Sequence, residues 1–581
     1  MAPALAELHL PTRGAVIDRR VAVIAGLAIA VAIAAGFVAQ LLAALIAIVT
    51  NLAFHQRLGL ADASPFDHQL GAAVIVVPII GGVIVGIMAR YGSKAIRGHG
   101  IPEAMEQVLT NQSRIPRRMT FLKPLSAAVA IGTGGPFGAE GPIIATGGAL
   151  GSWLGQVVRV SADERKVLLA AGAAAGMAAT FGSPVAAVLL AIELLLFEYR
   201  ARSVIPVALA ASAATAVRVA LVGAAPVFPL PDVLAPGAVA LLVYVAIGGL
   251  LGVASVVVTR LVYGIEDAFE RLPIHWMWWP AIGGIAVGVV GFLVPRTLGV
   301  GYVNIEDTVR GDLVGTTLAV LCGAKLVSWA IALGSGTSGG TLAPLFTIGG
   351  ALGALVAAGM AQVAPGYAID PRLGALVGMA AMFAGASRAL LASVVFAFEC
   401  TRQPIGLLPL LAGCAVAYFV SALLMPNSIM TEKLARRGLR VRGDYQVDHL
   451  DALAVADHAS KALITLDAQT TVAAARAILA TAHHQGFPVV EDGALIGVLT
   501  RRDLVEPALA DDTRVGALVH RAPVVVHPDH SLRDAADHMV TANVGRVVVV
   551  TRAEPRVPIG ILTRGDLLAA HARRLDARHR R

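Results

Sequence analysis

Charge is scarce in this 581-residue chain: only 14% of residues are Asp, Glu, Lys or Arg. A water-soluble domain of this size needs far more polar surface, so a soluble globular reading is excluded. Aromatic residues are also few, at 5%, and there are three cysteines, Cys322, Cys400 and Cys414. All three lie in apolar runs, which reads as core packing in preference to a disulfide framework or a metal site. No nucleophile–base constellation and no metal-ligand spacing stands out, so the sequence offers no enzyme reading and no metal. A cleavable signal peptide is not evident, because the first twenty residues are polar and basic and lead into a long apolar run.

What is abundant is apolar length: 57% of residues are hydrophobic and the mean hydropathy is +0.75. Apolar stretches cover 21–50, 70–89, 125–157, 167–197, 204–224, 238–258, 281–300, 314–334, 340–363, 373–398 and 405–425. About 20 such residues span a bilayer. Several stretches are longer or broken by Gly and Pro, so more helices than stretches are expected, some tilted and some ending partway. The chain reads as an all-α polytopic membrane protein in contact with the lipid bilayer. Arg13, Arg19 and Arg20 precede the first span, which places the N-terminal segment 1–20 in the cytoplasm. "HWMWWP" (275–280) reads as an interfacial aromatic belt. The net charge of +8 follows from positive loops and the basic end, with no need for nucleic acid.

The membrane region is duplicated. Gly132, Gly134, Gly138 and Pro142 recur 202 residues later as Gly334, Gly336, Gly340 and Pro344, and "GGALG" and "GMAATF" return as "GGALG" and "GMAAMF". Further on "AIE" and "AFE" match with four more residues between them. Transporters are often built from such repeats, with the site at their interface. Near residue 435 the composition changes. "GFPVVEDGALIGVLTRRDL" (486–504) then resembles "GRVVVVTRAEPRVPIGILTRGDLL" (545–568), two strand–turn–strand–helix units with Thr471 and Ser531 at N-cap positions. The tail is therefore a pair of small α/β modules, about 447–506 and 513–572, outside the membrane.

Three Gly/Pro-punctuated motifs interrupt the apolar region: "GHGIPE" (98–103), "GAEGP" (138–142) and "GGTLAP" (339–344). Glycines there could serve only close helix packing. Each motif, however, precedes a helix-like run, and helix starts expose unpaired N–H groups with partial positive charge. Several aimed at one point form an anion site. Glu140, a lone carboxylate in such a setting, can imitate the anion, block the site and leave when protonated.

The three motifs resemble the GSGIPE, GKEGP or GREGP, and GxFxP signatures of the CLC chloride channels and chloride/proton antiporters, over roughly residues 21–435. The tail (436–581) resembles the paired CBS modules that follow many CLC membrane domains. The resemblance implies the CLC fold of two inverted repeats with discontinuous tilted helices, and a homodimer in a bacterial inner (plasma) membrane with the CBS tail cytoplasmic. It makes Glu140 the gating residue. It assigns anion binding to His99, Gly100, Ile101, Pro102, Gly141, Thr341 and Leu342, with Gly98, Gly340 and Pro344 beside them, and to Met430 in "SIMT" (428–431). Four positions depart from the family: His99 replaces serine, Ala139 a basic residue, Leu342 phenylalanine and Met430 tyrosine. In "SPVAAVLLAIELLL" (183–196), counting from Pro184, Glu193 takes the first position of the family's glutamate pair and Leu194 the second, which in antiporters relays protons. Leucine cannot carry a proton, and Glu193 is open to a purely structural role. In the tail, Thr500, Asp503, Thr563 and Asp566 match residues that hold an adenosine nucleotide (ATP, ADP or AMP), the alternative being that the aspartates only cap helices. The leading functional expectation is a chloride-selective channel gated by a glutamate and by pH. The alternative is a secondary active chloride/proton antiporter. A CBS sensor whose membrane part no longer conducts is a third class, disfavoured by the intact motifs.

Overall fold

The computed structural model describes residues 17, 19–61, 63–439, 449–482, 484–506 and 509–579. The expected N-terminal segment lies outside the described residues apart from Ile17, Arg19 and Arg20, as does the expected start of the first α/β module at 447. The chain divides into two compact units, one ending after α17 and one beginning with α18.

The first unit is helical. Its first half runs α1 (Arg19–His55), α2 (Val76–Tyr91), α3 (Ile101–Thr110), α4 (Met119–Gly132), α5 (Glu140–Val157), α6 (Ala162–Phe181), α7 (Pro184–Ala191) and α8 (Ala201–Val222). The second half repeats the series as α9 (Ala238–Glu270), α10 (Trp279–Leu293), α11 (Tyr302–Arg310), α12 (Gly315–Gly334), α13 (Leu342–Val363), α14 (Pro371–Ser387), α15 (Leu390–Thr401) and α16 (Leu407–Leu424), and α17 (Glu432–Arg436) follows. The apolar stretches 125–157, 167–197 and 373–398 each break into two helices, at the Gly- and Pro-rich turn 133–139, at Gly182–Ser183 and at Arg388–Ala389. Among the described residues, eight helical segments are long and apolar enough to cross a membrane.

The duplicated sequence packs reciprocally. The repeated "GGALG" glycines are explained by helix crossing: a methyl on Gly147 would strike the carbonyl of Gly172, and one on Gly349 that of Gly378, so α5 lies against α6 and α13 against α14 with backbones touching. Gly82 of α2 meets the Pro280 carbonyl of α10, while Gly284 of α10 meets the Pro78 carbonyl of α2. The carboxylates do the same. Glu193 accepts the N–H groups of Leu391 and Ala392 at the start of α15 (3.0 and 3.1 Å), and Glu399 accepts those of Val185 and Ala186 at the start of α7 (3.1 and 2.8 Å). Each half thus caps a helix of the other, as a pseudo-two-fold requires, and Glu193 is a helix cap here. The three cysteines are free and buried.

The second unit contains α18 (His449–Ala452) and two copies of one motif. The first copy is a three-stranded sheet of β1 (Leu466–Asp467), β2 (Gly486–Glu491) and β3 (Ala494–Thr500) with α19 (Val472–Thr481) and α20 (Arg501–Val505). The second is β4 (Val525–Val526), β5 (Arg546–Val550) and β6 (Pro558–Thr563) with α21 (Leu532–Thr541) and α22 (Arg564–His579). In both, the outer strand pairs parallel to the middle one, which pairs antiparallel to the last. Thr471 and Ser531 cap α19 and α21 as their positions predict. Leu495 of the first copy packs with Val525, Val548 and Val550 of the second.

The α2–α10 crossing has no spare volume at its glycines, whereas Gly26 faces open space. Gly82→Ala is expected to lower the thermal unfolding midpoint in detergent, at a cost of about 1–3 kcal/mol for overpacking, and Gly26→Ala to leave it unchanged.

Candidate anion pathway and nucleotide cleft

The loop before α3 has to turn sharply, and Gly98 and Gly100 do so at φ values of +86° and +93°. Its carbonyls are clamped: Lys123 of α4 donates to the oxygens of Ile96 and Gly98, both at 2.8 Å. Glu103, inside α3, accepts the Gly100 N–H at 2.8 Å and the Lys433 ammonium at 2.7 Å. His99 is only 5% exposed, and its Nδ1 has no hydrogen-bond partner.

The starts of α5 and α13 are stitched to this loop by backbone. The Gly340 N–H donates to the Gly138 carbonyl at 2.9 Å, and the Gly98 N–H to the Thr337 carbonyl at 3.2 Å. A side chain on Gly141 would collide with the His99 carbonyl, and one on Gly100 with that of Gly141. The helix starts that carry Ile101 and Pro102, Glu140 and Gly141, and Thr341 and Leu342 therefore meet at one place, and all six residues are buried. Glu140 opens α5 and is 1% exposed. Its Oε1 accepts the Tyr302 hydroxyl at 3.0 Å. Its Oε2 has no hydrogen-bond partner and lies beside Gly340, where an added Cβ would be 2.7 Å away.

A sequence model of the family described as "Voltage gated chloride channel" matches residues 81–422, and one described as "CBS domain" matches 455–508 and 515–573. The chain belongs to the voltage gated chloride channel family. Anion transport across a membrane is that family's activity. "Chloride channel protein CLC-f" of Arabidopsis thaliana is 30% identical over 74% of this chain and 62% of its own length, so the chain spans less than two thirds of that relative. "H(+)/Cl(-) exchange transporter ClcA" of Vibrio parahaemolyticus is 31% identical over 63% of this chain and 79% of its own. Two solved structures share the fold. "X-ray crystal structure of a slow cyanobacterial Cl-/H+ antiporter" has a TM-score of 0.62 at 23% identity, covering 71% of this chain and 98% of that one. "Crystal Structure of a eukaryotic CLC transporter" has 0.57 at 22% identity, covering 94% and 98%.

In this family member two separate cavities approach the junction. One, about 550 Å³, is walled by charge of both signs, including Arg97, Glu266 and Lys433, and reaches Gly98 and His99. The other, about 880 Å³, is mostly apolar and reaches Ala139 and Tyr302. Met430 is fully buried and does not line the charged cavity. Its neighbour Ile429 does, with its carbonyl accepting the Tyr263 hydroxyl at 2.8 Å. The expected aromatic belt is divided: Trp278 is exposed, but Trp276 and Trp279 wall the charged cavity and carry the Arg97 guanidinium at 5.2 and 5.3 Å.

In the CBS pair, Asp503 accepts the Thr500 N–H and hydroxyl, both at 2.7 Å, and Asp566 accepts those of Thr563 at 2.7 and 2.8 Å. The aspartates are helix caps in this state. Outside the membrane region, the Arg552 guanidinium hydrogen-bonded to Asp529 (2.7 Å) holds that carboxyl below the usual carboxylate range.

Four positioning side chains escaped the sequence reading: Lys123, Tyr263, Tyr302 and Lys325. Lys325 of α12 stands 202 residues after Lys123 and repeats its work, donating to the carbonyls of Thr297 and Gly299 at 3.0 and 3.1 Å. A lone lysine in an apolar run is itself a signal. Lys123→Met and Lys325→Met would each strand two buried carbonyls. Each is expected to destabilise the membrane unit by about 1–3 kcal/mol, read as a lowered unfolding midpoint in detergent.

Proposed function

We propose that this protein carries chloride across a membrane with Glu140 as its gate, and that it exchanges chloride for protons. The observation that carries this is the Glu140 carboxylate, buried where three helix starts meet and standing between two cavities that share no lining residue. A carboxylate buried where helix starts converge occupies the place an anion would take. Chloride enters that place when Glu140 accepts a proton and withdraws. The backbone of Gly100, Ile101, Gly141, Thr341 and Leu342 then faces the anion, with Pro102 fixing the first turn of α3. His99, through its unpartnered ring nitrogen, supplies a side-chain donor where the family has serine. Met430 offers no donor, so the inner constriction is more apolar than in relatives with tyrosine.

Exchange is favoured over passive conduction by the similarity to the Vibrio exchange transporter. One observation favours a channel: Leu194, 4% exposed, stands at the inner relay position and cannot hold a proton. The homodimer, the bacterial inner membrane, the membrane domain 21–435 and a cytoplasmic tail 436–581 belong to the same proposal. In the tail, Thr500, Asp503, Thr563 and Asp566 would hold an adenosine nucleotide that tunes transport.

In proteoliposomes, an inward chloride gradient is expected to drive protons uphill in the opposite direction. Chloride flux is expected to rise as pH falls. Glu140→Gln should conduct chloride with little pH dependence and no proton movement. Chloride flux without any uphill proton movement in the wild type would establish the channel instead, and wild-type pH dependence in Glu140→Gln would place the gate elsewhere.

Calorimetry of the full chain with ATP, ADP and AMP is expected to show binding that Asp503→Ala with Asp566→Ala abolishes. Heat unaffected by the double substitution would leave both aspartates as caps.

A further inference from the structure

The gate has one feature that the anion loops do not explain. Among the described residues, Tyr302 is the side chain that hydrogen-bonds the Glu140 carboxylate, at 3.0 Å. Its position is the second-half counterpart of Gly100, 202 residues earlier. The start of α3 is thus bare backbone, while the start of α11 carries a phenol turned onto the gate. The phenol is packed between two other rings. Its ring is wedged edge-on between Phe181 and Phe228, at 5.7 and 5.9 Å between centroids. Phe181 is braced in turn by Phe396 at 5.0 Å. The backbone leading into α11 is pinned by Lys325. Tyr302 and Ala139 also line the 880 Å³ cavity.

We propose that Tyr302 is the latch of the gate: a positioning residue that holds the ionised Glu140 carboxylate in the shut position and sets the pH at which it lets go. The inference rests on the gating role proposed for Glu140. A phenol O–H donates a strong, charge-assisted bond to a carboxylate and a weaker one to a protonated carboxyl. The bond therefore stabilises the shut, charged form selectively. The other titratable or charged groups facing Glu140 are Lys325 from α12 and Cys400 from α15. The Lys325 ammonium is already committed to two carbonyls, so it contributes field and no direct hold. The Ala343 N–H at the start of α13 adds a backbone contribution.

The test is chloride efflux from proteoliposomes as a function of pH for wild type, Tyr302→Phe, Glu140→Gln and the double variant. Tyr302→Phe keeps the ring and its aromatic contacts. It is expected to move the midpoint of acid activation upward by about one pH unit, the equivalent of one charge-assisted hydrogen bond. The double variant should match Glu140→Gln. A Tyr302→Phe protein with an unmoved midpoint and uniformly lower flux would overturn the latch and leave the ring as packing. Persistent pH dependence in Glu140→Gln would instead overturn the gate itself, so the two failures are distinguishable. Should Tyr302→Phe fail to fold, 3-fluorotyrosine at position 302, a more acidic donor, is expected to move the midpoint the other way, toward lower pH. No movement there would equally overturn the latch.

Discussion

The membrane unit is organised around the burial of one carboxylate. A lone charged group in an apolar interior is tolerated only where partial charges of the right sign are already in place. Here they come from the Tyr302 hydroxyl and from helices that begin at the same spot. That arrangement dictates much else. The helices must begin inside the fold, the loops before them must be glycine-rich to pass each other, and those loops must be clamped so that their N–H groups keep aim. Lys123, Glu103 and Lys433 hold one loop, the Gly340–Gly138 bond joins two others, and Lys325 holds the fourth.

The duplication makes this economical. A single helix-start design used twice, related by a pseudo-two-fold, brings partner loops to a common point. The halves then diverged where function differs. Where one has Gly100 the other has Tyr302, and where one has Glu140 the other has Leu342. The lysines, the packing glycines and the capping glutamates kept their scaffold roles in both.

Much of this was legible in the residues. The fixed 202-residue offset announced two like halves, and the three motifs marked the helix starts. The tail modules could be read from their own repetition. What hid was whatever depends on side-chain reach across the fold. Glu193 sits next to the family's relay position, and only its contacts with α15 identify it as a cap. Tyr302 stands in "GVGYVN", a stretch without any distinguishing pattern. "HWMWWP" reads as a lipid-interface signature, yet two of its tryptophans face a charged cavity, because stacking on Arg97 competes with the interface for an indole. Met430 is fully buried and the neighbouring Ile429 lines the charged cavity, a difference its place in a motif does not reveal.

The exchanged glutamate caps have a consequence for biogenesis. During synthesis α7 emerges from the ribosome more than two hundred residues ahead of Glu399, the group that satisfies its first N–H groups, and Glu193 emerges 198 residues ahead of Leu391 in α15. The first half therefore enters the bilayer with an unmet donor at one helix and an unmet acceptor beside it. It has to wait in a provisional arrangement, near water or lipid headgroups, until the second half is inserted. Maturation of the membrane unit is then a late, concerted docking of two half-molecules, and neither half is a finished folding unit by itself.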